Sequence, residues 1–89
     1  MKSLQLVIRG NVQGVGFRAA TKKVADVLQV TGFVKNLPDG AVEVVVTGEE
    51  ALVHKLVDFC HHGPAGASVD TVSINFGPDE AFSAFEIRR

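Results

Sequence analysis

Eighty-nine residues bound the chain to one domain over residues 1–89, because a second would have too little interior to bury. With 46% hydrophobic and 21% charged residues and no low-complexity run, the composition excludes disorder and fits one modest core. The net charge of −1, nine Lys and Arg against ten Asp and Glu, lacks the basic excess of a nucleic-acid binder.

In chain order, Leu4, Leu6 and Ile8 alternate with Gln5, Val7 and Arg9, which predicts a first strand. Gly10, Gly14 and Gly16 then crowd a segment unsuited to a helix or strand interior. From Phe17 to about Val30, Phe17, Ala20, Val24, Val27 and Leu28 recur at helical spacing, opposite Lys22, Lys23 and Asp26. Thr31 to Leu37 and Ala41 to Thr47 read as two strands joined by Pro38-Asp39-Gly40, a hairpin.

Gly48-Glu49-Glu50 opens a second helix whose apolar face is Leu52, Val53, Leu56, Val57, Phe59 and Cys60. Its glutamates come first and His61-His62 last, which suits the macrodipole, and Gly63-Pro64 stops it. Past a loop through Gly66, Val72, Ile74 and Phe76 alternate with polar residues in a fourth strand. Gly77-Pro78 breaks that strand, and Phe85 and Ile87 mark a short final one. The order β-α-β-β-α-β predicts an α+β, ferredoxin-like sandwich, an antiparallel sheet with both helices on one face.

Cys60 is the only cysteine, so no intrachain disulfide forms. The apolar runs fall far short of a membrane span, and Met1-Lys2 leads into strand-like alternation instead of a signal peptide. No membrane partner and a cytoplasmic location in a reducing cytosol are therefore expected.

The segment that carries chemistry is Gly10-Asn11-Val12-Gln13-Gly14-Val15-Gly16-Phe17-Arg18, between the first strand and the first helix. Glycines there let consecutive backbone N–H groups turn toward one point, and a helix start adds unpaired donors and a positive dipole end. Arg18, in the first turn, adds a planar and permanently charged fork. These features describe a site for one phosphoryl-sized anion. By spacing alone they equally describe a plain glycine turn followed by a solvated arginine. The spacing is neither G-x-G-x-x-G nor a Walker loop.

Gly10-x-Val12-Gln13-Gly14-Val15-Gly16-Phe17-Arg18 resembles the first signature of the acylphosphatase family. Gly32-Phe33-Val34-Lys35-Asn36, followed by Gly40-x-Val42 and then Gly48, resembles the second. The Gly63-Pro64-Ala65-Gly66-Ala67 loop and the stretch from Phe82 to Arg88 extend the likeness over nearly the whole chain. The resemblance implies that Arg18 binds the substrate phosphate and Asn36 orients the attacking water. It places Gln13, Gly14, Val15, Gly16, Phe17 and Arg18 in a backbone cradle. It also implies no metal, no organic cofactor, a small-molecule acyl phosphate substrate and a monomer. Ala19-Ala20 depart from the pattern, since the family often has aromatic residues just after the arginine.

His54, Asp58 and His61 or His62 share helical spacing that could hold a metal, but as solvated helix positions they need no such role. Cys60 reads as a small buried hydrophobe, Phe17 and Phe33 as core anchors, and Lys35 as solvent-facing beside Asn36. Two other classes compete with an enzyme. A binding module of the same fold would hold a phosphorylated ligand without turnover, and the presence of Asn36 counts against it. An RNA-binding sheet would need exposed aromatics in a basic motif, whereas the third strand reads Val42-Glu43-Val44-Val45-Val46.

Overall fold

The computed structural model describes residues 3–89; Met1 and Lys2, the start of the expected domain, lie outside the described residues. Five strands and two helices follow in the order β1 (Ser3–Asn11), α1 (Phe17–Leu28), β2 (Thr31–Asn36), β3 (Val42–Thr47), α2 (Glu50–His62), β4 (Ser68–Phe76) and β5 (Phe85–Arg88). The strands form one sheet in the order β4-β1-β3-β2-β5. Helix α1 lies over β2 and β5, and α2 over β1 and β4.

Strand alternation sorts the side chains between the two faces. Leu6, Ile8, Val34, Val42, Val44 and Val46 point toward the helices and are buried with Phe17, Leu56 and Cys60. Phe33 and its cross-strand neighbour Val45 are buried on the reverse face, where Phe82 meets Phe33 edge-on with ring centroids 6.0 Å apart.

Helix α1 ends at Leu28, two residues before the expected Val30, because Gln29 takes a left-handed conformation (φ 59°) and its N–H caps Ala25 O and Asp26 O. Val27, expected on the inner face, is 78% exposed. Thr21 takes the inner position instead, four residues from both Phe17 and Ala25. Its hydroxyl donates to Phe17 O at 2.8 Å, so its burial leaves no polar group unpaired.

The sheet is mixed, because β5 pairs with β2 in parallel while the other pairs are antiparallel. The reason lies in the connection from β4. Strand β4 ends at Phe76 beside Leu4, and Gly77 N donates to Ser3 O. The following residues cross the end of the sheet past Thr47 and Thr31 and reach β2 at its beginning, where Gly32 N donates to Ala84 O. A chain delivered to the start of β2 can pair with it only by running in the same direction. Strand β4 is the opposite edge, and its apolar residues Ile74 and Phe76 are 46% and 78% exposed there.

Candidate active site

One end of the sheet gathers the last residues of β1, β2 and β5 and the first residues of β3. Helix α1 starts above this end. Between them lies a cleft of about 300 Å³ lined by Val12, Gly14, Gly16, Phe17, Arg18, Ala19, Asn36, Ile87 and Arg89.

The loop from β1 reaches the helix through Gly14 (φ 76°) and Gly16 (φ 77°), a left-handed backbone that costs residues with a Cβ about 1–2 kcal/mol each. A Cβ at either glycine would face open space, so the backbone geometry, not crowding, calls for glycine. Gly16 caps α1 with no side-chain hydrogen bond, and its carbonyl accepts Ala20 N at 3.0 Å. The first N–H groups of a helix have no partner within it. Here no acidic residue in the first turn offsets the positive dipole end, and three first-turn residues, Phe17, Arg18 and Ala19, line the cleft.

Arg18 is partly exposed and forms no ion pair among the described residues. Its Nη1 donates to Arg88 O at 3.4 Å, a long contact that leaves most of its five donors to a ligand. Asn36 ends β2 in line with Val34, so alternation aims it at the helix side. Its Oδ1 is buried and has no hydrogen-bond partner among the described residues. A buried acceptor left in this state costs about 1–3 kcal/mol, and native proteins keep few of them.

Of the six residues expected in the cradle, Gly14, Gly16, Phe17 and Arg18 line the cleft. Val15 packs against the core instead. The Gln13 side chain turns to the hairpin, where Nε2 donates to Leu37 O at 2.8 Å and Ala41 O at 2.9 Å. Gln13 thereby ties the loop before Arg18 to the turn after Asn36. Lys35 lies on the reverse face, 3.6 Å from Glu43 Oε1, and does not line the cleft. Of the two alanines after Arg18, only Ala19 lines it.

Ile87 and Arg89 complete the wall, and the sequence reading missed both. Local spacing carries no signal for them, since they reach the cleft only through the parallel pairing of β5 with β2. At the far end of α2, His62 Nδ1 is 3.0 Å from Asp58 O within its own last turn.

Comparison with known proteins places the chain and its fold among characterised relatives. The family model described as Acylphosphatase matches residues 4–87. An acylphosphatase of Trichormus variabilis is 42% identical over 86 residues, which cover 97% of this chain and 85% of that protein. The crystal structure of an acylphosphatase from Bacillus subtilis superimposes with a TM-score of 0.95 at 31% identity, covering 100% of both chains. An acylphosphatase from Coxiella burnetii gives a TM-score of 0.92 at 38% identity, covering 98% of this chain and 92% of that one.

Proposed function

The chain belongs to the acylphosphatase family and hydrolyses acyl phosphates, and from that premise we propose that Arg18 grips the phosphoryl group while Asn36 aims the attacking water. The observation that carries this division of roles is that Asn36 and Arg18 line one cleft and that no described residue pairs with the carboxamide oxygen of Asn36. A water molecule donating to that oxygen keeps a lone pair free to point at phosphorus. A carboxamide is no base near neutral pH, so Asn36 guides the water without taking its proton.

The substrate explains why so few groups suffice. An acyl phosphate is a mixed anhydride, and its leaving carboxylate departs unprotonated, so no general acid is needed. Water oxygen bonds to phosphorus, the bond from phosphorus to the acyl oxygen breaks, and the water proton passes to a phosphoryl oxygen. The products are a carboxylate and inorganic phosphate. Charge builds on the equatorial phosphoryl oxygens of a loose transition state, where preorganised donors act most strongly. The Arg18 guanidinium and the unpaired N–H groups at the start of α1 are such donors, with Gln13 to Arg18 supplying the backbone around them. Ala19 and Ile87 offer the acyl group a wall of small and aliphatic side chains in place of aromatic ones.

We take residues 1–89 as one catalytic domain that acts as a monomer, since Arg18 and Asn36 of one chain share one cleft. Among the described residues no helix is long and apolar enough to cross a membrane. A cytosolic location suits the lone, buried thiol of Cys60.

Turnover of acetyl phosphate and its inhibition by inorganic phosphate test the assignment. Arg18→Ala is expected to lower turnover by about 10²–10³ and to weaken inhibition with it, the loss typical of an oxyanion donor. Asn36→Ala is expected to lower turnover by a similar factor while phosphate still inhibits. Equal weakening of inhibition in both variants would refute the separation of roles.

A further inference from the structure

We propose that Arg88 is a positioning residue for Arg18: its side chain, stacked on the reverse face of the sheet, holds its main-chain carbonyl where the Arg18 guanidinium meets it. This inference rests on Arg18 being the phosphoryl-binding group.

Arg18 approaches one protein acceptor among its described contacts, Arg88 O. That carbonyl belongs to the last residue of a four-residue edge strand, in the final residue pair with β2, Lys35 to Arg88. The end of a short edge strand frays unless something ties it down. Two rings and a carboxylate tie this one. The Arg88 guanidinium carbon lies 4.2 Å from the centroid of Phe33 and 6.0 Å from that of Phe82, and Nε is 3.4 Å from Glu86 Oε2. Phe33 is buried and meets Phe82 edge-on, so the platform is itself fixed. A planar guanidinium stacks on such a platform better than an ammonium does.

The side chain of Arg88 thus sits on one face of the sheet, while Ile87 and Arg89, its neighbours in an alternating strand, line the cleft on the other. Both Arg18 and Arg88 are cations, so direct charge interaction would push them apart. The coupling between them runs through the carbonyl.

The test is a double-mutant cycle on kcat/KM for acetyl phosphate, with inhibition by inorganic phosphate measured alongside. Arg88→Ala is expected to lower kcat/KM by about three- to tenfold, chiefly through KM, and to weaken phosphate inhibition in parallel, the coupling usual for residues of one contact network. In an Arg18→Ala background the same change is expected to have almost no further effect, whereas in an Asn36→Ala background it keeps its full size. Arg88→Lys, which retains charge but not the planar stack, should recover only part of the loss. If Arg88→Ala does not fold, Phe82→Ala removes one ring at a partly exposed position and replaces it in the cycle. The proposal is overturned if the folded variant keeps the wild-type KM and phosphate inhibition, or if its effect is equally large with and without Arg18. Failure of Arg18→Ala itself to weaken phosphate inhibition would instead overturn the reading beneath it.

Discussion

Asn36→Ala should make the protein more stable while disabling it. The wild-type side chain makes no hydrogen bond among the described residues, and its buried Oδ1 has no protein partner among them. Removing the carboxamide therefore breaks no hydrogen bond to another described residue and relieves a desolvation cost of at most about 1–3 kcal/mol. Against this stands the loss of the packing that the carboxamide provides at a half-buried strand end, which offsets part of the gain. A net gain of about 1 kcal/mol corresponds to a rise of roughly 4–8 °C in Tm for a chain of this size. Thermal unfolding by circular dichroism without ligand, paired with turnover of acetyl phosphate, measures both sides. Function bought at the expense of stability is a common pattern at working sites. A Tm lowered by several degrees would mean that a protein donor pairs with Oδ1 in the native state. Asn36 would then be a structural residue and not a water guide, even if activity were also lost.

Two further outcomes follow from other parts of the structure. Gln13→Ala removes both bonds that join the loop to the hairpin, at Leu37 O and Ala41 O. Each carbonyl keeps a second donor, Gly40 N and Leu37 N respectively, so the expected cost is about 1–2 kcal/mol by denaturant titration. The activity of Gln13→Ala should fall more in kcat than in phosphate inhibition, because the loosened hairpin carries Asn36. Burial pushes the Cys60 thiol from 9.0 up to about 12, so the folded state holds its proton more tightly than the unfolded state does. That stabilisation is complete below about pH 9 and is lost as pH rises toward about 12, at roughly 1 kcal/mol per pH unit. Cys60→Ala should flatten this alkaline decline, and an aromatic disulfide reagent at neutral pH should label the thiol only after denaturation.

Much of the architecture could be read from local patterns. Alternation marked β1 and the hairpin strands, helical spacing marked α1 and α2, and the crowded glycines with Arg18 marked the loop that lines the cleft. These signals survive folding because backbone conformation and turn chemistry act over a few residues. Asn36 was legible from resemblance, and alternation with Val34 explains why it faces the helix side. The inward turn of Thr21 was not legible, since its hydroxyl finds the Phe17 carbonyl only once the helix has formed.

What lay beyond local pattern was how distant segments meet. Nothing near Phe85 to Arg88 states which strand it will join or in which direction. The answer depends on the crossing from Phe76 past Thr47 and Thr31, which delivers the chain to the start of β2. Running parallel from there, β5 carries Ile87 and Arg89 to the cleft and sets the Arg88 carbonyl beside Arg18; an antiparallel β5 would send them to the other end of the sheet. Gln13 was likewise read as backbone cradle, yet its side chain found acceptors 24 and 28 residues away. Short-range chemistry selects the elements and the glycine loop before Arg18, whereas strand direction and cross-loop hydrogen bonds are settled by contacts between residues far apart in the chain.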